Sequence, residues 1–175
     1  MIIKIVAIIA LVIGSILILA ASRPKAFRIE RTVFVNAPPE KIFAFINDFH
    51  RWHLWAPQDR EDPSMTRTYS GAESGLGAMS DWKGKGSGGE GRMSIVESLS
   101  PSKVSVRADW SKPFQLTNVN EFVLEPVNGQ TKVTWTMRGD NLYLMKLMSV
   151  FVNMDKQMGK HFEAGLADLK VSAEK

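Results

Sequence analysis

The sequence predicts an α+β protein of short antiparallel strands followed by a long C-terminal helix, with one transmembrane helix in front. Three observations carry this. Residues 2–21 hold only Lys4 as a charge and only Ser15 as a further polar side chain. Residues 65–138 alternate apolar and polar side chains in short runs punctuated by Gly, Pro and Asn-Gly. From about Leu144 the apolar residues recur every three or four positions, the period of a helix face.

The twenty residues of the first run, at 1.5 Å each, reach about 30 Å, the thickness of a bilayer core. Arg23, Lys25 and Arg28 follow at once, and Pro24 disfavours continuation. A cleaved secretory signal has an apolar region of roughly 7–15 residues before a small-residue site. Ala20-Ala21-Ser22 would suit such a site, but the uninterrupted run is long for a signal, so a retained single-pass anchor is expected. Residues 1–22 are therefore assigned to the anchor, 23–29 to a linker and 30–175 to the domain. With Arg23, Lys25, Arg28 and Arg31 crowding the C-terminal side, the positive-inside rule favours a cytoplasmic domain.

In Arg31–Val35, Val33 and Val35 alternate with Thr32 as in a half-buried strand, and Phe34, out of phase, predicts that both faces are covered. Asn36-Ala37-Pro38-Pro39 stops the strand, since proline donates no ladder hydrogen bond and its φ suits a first helical turn. Ile42, Phe43, Ile46 and Phe49 then mark one helix face, followed by a loop holding Trp52 and Trp55. Strands are expected at Met65–Ser70, Ala78–Trp82, Gly91–Ser98, Lys103–Trp110, Thr117–Glu125 and Thr131–Arg138, with Asn128-Gly129 as a hairpin turn. Val133, Trp135 and Met137 share one strand face, as do Val104, Val106, Ala108 and Trp110. Leu147, Phe151, Met154, Met158, Phe162, Gly165 and Leu169 form one helical stripe. Gly165 within it implies close approach to the sheet, because glycine costs a helix about 1 kcal/mol.

The net charge of +4 belongs to the anchor region. Without Lys4, Arg23, Lys25 and Arg28 the chain carries 18 basic against 18 acidic residues and no basic stripe, which argues against nucleic acid as a partner. The absence of cysteine excludes disulfides, thiol catalysis and thiolate metal sites.

No catalytic constellation emerges. Gly84–Gly89 matches G-x-G-x-x-G, but a dinucleotide site needs that motif to open a helix, and here a strand-like run follows. Asp48, His50 and His53 lack the spacing of a metal motif, His161 flanks the helical stripe, and Asp59, Glu61 and Asp62 read as a solvated charge cluster with Arg60. Neither a metal nor a cofactor is expected.

The order strand, Pro-rich turn, short helix, Trp loop, six strands and long helix resembles START/SRPBCC domains, in particular the polyketide cyclase-like branch. The resemblance runs from about Phe27 to the C-terminus. It rests on NAPPEKIFAFINDF, the Trp52/Trp55-Ala-Pro loop, Tyr-Ser-Gly at 69–71, Gly-Leu-Gly at 75–77, Lys112-Pro113-Phe114, the Thr131–Trp135 strand and the Lys160–Leu166 helix segment. It implies a helix-grip (START-like) fold with an apolar cavity between sheet and helix. Expected lining residues are Trp55, Tyr69, Trp82, Trp110, Phe114, Asn120, Trp135, Met137, Met154, Met158 and Phe162. The first expectation is thus a membrane-anchored domain that binds an apolar small molecule or lipid. The alternatives are a cyclase or dehydratase, for which Tyr69, Asp81 and the histidines are the only polar candidates, and a protein-interaction scaffold with a vestigial cavity.

Overall fold

The computed structural model describes residues 2–58, 62–84 and 89–175; the charged stretch 59–61 and the glycine-rich stretch 85–88 lie outside the described residues. Helix α1 (Ile2–Ser22) is apolar and exposed along almost its whole length, with Ala20 its one buried residue. After it come β1 (Ala26–Val35), α2 (Pro39–Ile46) and a 3-10 turn (Phe49–Leu54). Six strands follow, β2 (Thr66–Gly71), β3 (Ala78–Lys83), β4 (Glu90–Leu99), β5 (Lys103–Lys112), β6 (Leu116–Val127) and β7 (Gln130–Asp140). The chain ends in α3 (Tyr143–Met148) and α4 (Met154–Glu174).

All seven strands pair antiparallel in one sheet of order β1-β7-β6-β5-β4-β3-β2. Consecutive strands from β2 to β7 are neighbours, and β1 closes onto β7. At the β6–β7 turn Asn128 and Gly129 both have positive φ, 49° and 81°, the geometry a two-residue hairpin requires. The inner face carries Val104, Val106, Phe122, Leu124, Val133 and Trp135, all buried. The outer face carries ion pairs such as Arg92–Asp81 and Lys103–Glu97. Phe34 lies on that outer face and is 46% exposed, so the expectation that both faces of β1 are covered does not hold. The long C-terminal helix packs on the other side of β1, and α1 meets chiefly the short helix before it.

Helix α2 buries Ile42, Phe43 and Ile46 against the sheet. Its last carbonyls, which have no partner within the helix, accept the two indole N–H groups of the following loop: Trp52 Nε1 donates to Ile46 O at 2.9 Å and Trp55 Nε1 to Phe45 O at 3.2 Å.

The C-terminal stripe departs from expectation. It is two helices, broken at residues 149–153, with Phe151 70% exposed. The Asn153 side chain accepts a hydrogen bond from Lys156 N and so starts α4, while Asp155 places a negative charge in its first turn. The apolar face of α3 turns to α1 instead of the sheet: Tyr143 Oη donates to Leu17 O and Arg23 donates to Ser149 O.

Two glycines let α4 lie close to the sheet. A Cβ at Gly159 would sit 1.8 Å from Arg31 Nη2, whose guanidinium passes beneath the helix to bond Asp155 and Glu163. A Cβ at Gly165 would sit 3.0 Å from both Pro57 Cδ and Trp135 Cζ3. Gly165→Val should therefore lower stability by about 1–3 kcal/mol through overpacking. Gly165→Ala should do less harm, since about 1 kcal/mol of helix propensity offsets the tighter contact. Urea midpoints of the two variants measure the difference, and equal midpoints would contradict the close approach.

Candidate functional site

The space between α4 and the sheet is filled at one end and open at the other. Near the middle of α4, at Phe162, an aromatic cluster occupies it. Trp135 stacks on Phe162 at 4.0 Å and 3° between planes, and Trp55 meets Trp135 and Phe122 edge-on, each at 5.8 Å. Under the N-terminal half of α4 the layers part around a cavity of about 650 Å³. Pockets of 300–1,000 Å³ lined by apolar side chains with a few polar groups are the usual form of a small-molecule site.

Of the residues singled out from sequence, Trp82, Trp110, Asn120, Trp135 and Met137 line this cavity from the sheet, and Met154, Met158 and Phe162 from α4. Three lie elsewhere. Trp55 is 1% exposed, part of the aromatic cluster and held by its bond to α2. Tyr69 packs against the His50 ring at 4.1 Å, beside the 3-10 turn. Phe114 stands half exposed in the β5–β6 turn. For Tyr69, strand phase identifies the face of a side chain and not its distance from an opening; Trp55 and Phe114 lie in loops, where no period fixes a direction.

Sequence reasoning missed Met65, Arg67, Met93, Ala108 and Asn118, which also line the cavity. Met93, Ala108 and Asn118 were legible from strand phase, each being two residues from a position on the inner face. Gly91 was not: a Cβ there would lie 2.4 Å from the Trp82 ring, so this glycine lets Trp82 lie over β4, edge-on to Trp110 at 4.8 Å. Gln157, Lys160, His161 and Ala164 form the rim on α4. His161 was expected only to flank the stripe.

Apart from its rim on α4, the cavity is lined by two charged side chains, Asp62 and Arg67, and on strands β5 to β7 by amides and indoles. Trp135 Nε1 donates to Asn120 Oδ1 and Asn120 Nδ2 to Asn118 Oδ1, each at 3.0 Å. Carboxylates with lowered pKa lie on the outer face. Asp81 is held below the ordinary range chiefly by hydrogen bonds from Arg92, Glu97 by Lys103 and Ser105, and Glu30 by Thr136 and Arg28. These groups are held ionised, the opposite of what a general acid needs. Asp81 lines a separate concavity of about 530 Å³ on that face, with Thr66, Lys83 and Arg92.

The sequence profile described as "Polyketide cyclase / dehydrase and lipid transport" matches residues 26–174. Among solved structures, protein CV1439 from Chromobacterium violaceum is similar at 12% identity, covering 87% of this chain and 99% of that one, with a TM-score of 0.60. The Aha1 dimer from Colwellia psychrerythraea is similar at 18% identity, covering 85% and 96%, with a TM-score of 0.58. The di-domain ARO/CYC BexL of the BE-7585A biosynthetic pathway is similar at 13% identity, covering 90% of this chain and 53% of that one, with a TM-score of 0.62. At these identities the likeness is one of fold. No curated protein sequence matches the chain.

Proposed function

The chain belongs to the polyketide cyclase/dehydrase and lipid transport family, and we propose that it is a membrane-anchored domain that binds an apolar small molecule or lipid in the cavity under α4. The observation that carries this is the cavity itself, about 650 Å³ with Trp82, Trp110, Met93, Met137 and Met158 around it. Each Å² of apolar ligand surface removed from water contributes about 25 cal/mol, less the cost of ordering the ligand. Methionine is unbranched and adapts to irregular guests.

The anchor bears on access. The helix that supports it, Ile2–Ala21, is long and apolar enough to span a bilayer, a property that signal sequences share. In this reading α3, docked on the C-terminal part of α1, holds the start of α4, and with it cavity-lining Met154, near the membrane surface. Apolar ligands concentrate there. The cyclase or dehydratase alternative needs a group of suitable pKa against the ligand. Of its sequence candidates, Asp81 lies on the outer face, Tyr69 packs on His50 outside the cavity, and only His161 reaches the cavity, at its rim, which favours binding over catalysis.

The test uses the full chain in lipid nanodiscs and the neutral apolar probe N-phenyl-1-naphthylamine, referenced to empty discs. Saturable binding with energy transfer from tryptophan is expected, together with an apolar molecule retained in native mass spectra after gentle purification. No saturable binding and no retained molecule would overturn the proposal.

A further inference from the structure

We infer that the deep wall of the cavity is built to donate hydrogen bonds, so that the molecule it takes is apolar with a carbonyl-type oxygen at its inner end. The inference rests on the cavity being a binding site and adds the chemistry of its ligand.

The polarity of the amide pair on β6 is fixed from outside. An indole N–H is a donor only, so Trp135 Nε1, bonded to the Asn120 side chain, requires that amide to present its oxygen there. Asn120 must then turn its NH₂ to Asn118, which must answer with its own oxygen. The Asn118 Nδ2 group is what remains. It has no hydrogen-bond partner among the described residues, although Asn118 is only 5% exposed and lines the cavity. The strand register shows why it is reachable. Asn118 pairs with Ala108, whose small side chain lines the same cavity beside it.

A second donor lies on the neighbouring strand. Trp110, one inner-face position along β5 from Ala108, has a buried Nε1 with no partner among the described residues and also lines the cavity. A buried donor left unsatisfied costs free energy that a ligand acceptor would recover. Arg67, on β2, adds a cationic donor group to the same cavity. Ketone, ester and carboxylate oxygens all meet this demand, whereas a hydrocarbon meets none of it.

The test compares 2-undecanone, undecanoate and undecane as competitors of N-phenyl-1-naphthylamine on the full chain in nanodiscs, at equal membrane concentration. The ketone is expected to displace the probe about five- to tenfold more tightly than the alkane, the size of one or two net hydrogen bonds. It should also shift the indole proton resonance identified as Trp110 by its absence in Trp110→Phe, while the alkane should not. Undecanoate separates the two sources of such an oxygen: tighter binding than the ketone points to an anionic head, weaker binding to a neutral carbonyl. Asn118→Asp keeps an acceptor for Asn120 but replaces the free donor by an acceptor, so it should erase the ketone advantage and exclude undecanoate. Equal affinity of ketone and alkane in the natural protein, or an advantage that survives both Asn118→Asp and Trp110→Phe, overturns the inference. If Asn118→Asp does not fold, the comparison in the natural protein and Trp110→Phe decide. If the probe itself fails to bind, it is the reading of the cavity as a site that falls.

Discussion

Met158→Trp is expected to abolish saturable binding of N-phenyl-1-naphthylamine while the domain still folds. Met158 stands on α4 over the open end of the sheet–helix space, partly buried and lining the cavity. An indole there grows into empty volume, toward Trp82, Met93 and Met137 on the opposite wall. The cost of fitting it is about 1–3 kcal/mol, the ordinary range for overpacking. The filled end of the same space lies close by, so the location of the change matters. A bulkier side chain at Phe162 would instead press on the Trp135 ring stacked 4.0 Å from it. Equilibrium unfolding and probe titration of Met158→Trp measure both effects. A variant that unfolds, alongside a natural protein that never takes up the probe, would show that this space is packed core. Undiminished binding in a folded variant would place the probe elsewhere.

Much of this architecture is legible from period alone. Val104, Val106 and Ala108 on β5, and Val133, Trp135 and Met137 on β7, point inward as their alternation requires, and each is buried. Asn128-Gly129 marks its hairpin because few other pairs tolerate positive φ at both positions. The break between α3 and α4 was hidden because Leu147, Phe151 and Met154 keep helical spacing across it. The competing signal was Asn153 with Asp155, a cap followed by an acidic first turn. The candidate site was harder to read. Trp55 and Trp135 are indistinguishable by composition and both belong to the aromatic cluster, yet only Trp135 also borders the cavity. Arg31 beneath Gly159 leaves no local trace, because its partners Asp155 and Glu163 are brought to it only when α4 docks on β1. The polarity of the Asn118–Asn120 pair likewise depends on a donor from the neighbouring strand.

Deleting residues 1–22 is expected to move the protein from the carbonate-resistant membrane pellet into the supernatant as a folded domain. Alkaline carbonate strips proteins held by charge at a membrane surface but not a helix that crosses the bilayer core. Within the chain α1 meets chiefly α3, and the family profile begins at residue 26, beyond the deletion. No part of the sheet or of its core cluster lies in α1, so the inner packing of the domain is untouched. What the deletion uncovers is the apolar lip that continues α1. Leu142, Tyr143, Leu144, Met148, Phe151 and Val152 are all substantially exposed even with α1 in place. The truncated domain should therefore retain weak, reversible affinity for lipid vesicles, as an interfacial element does, in contrast to the effectively irreversible hold of a spanning helix. Vesicle co-sedimentation before and after the carbonate wash separates the two modes. A natural protein released by carbonate would refute the span, and a mature chain beginning near Ala21 or Ser22 would identify α1 as a cleaved signal.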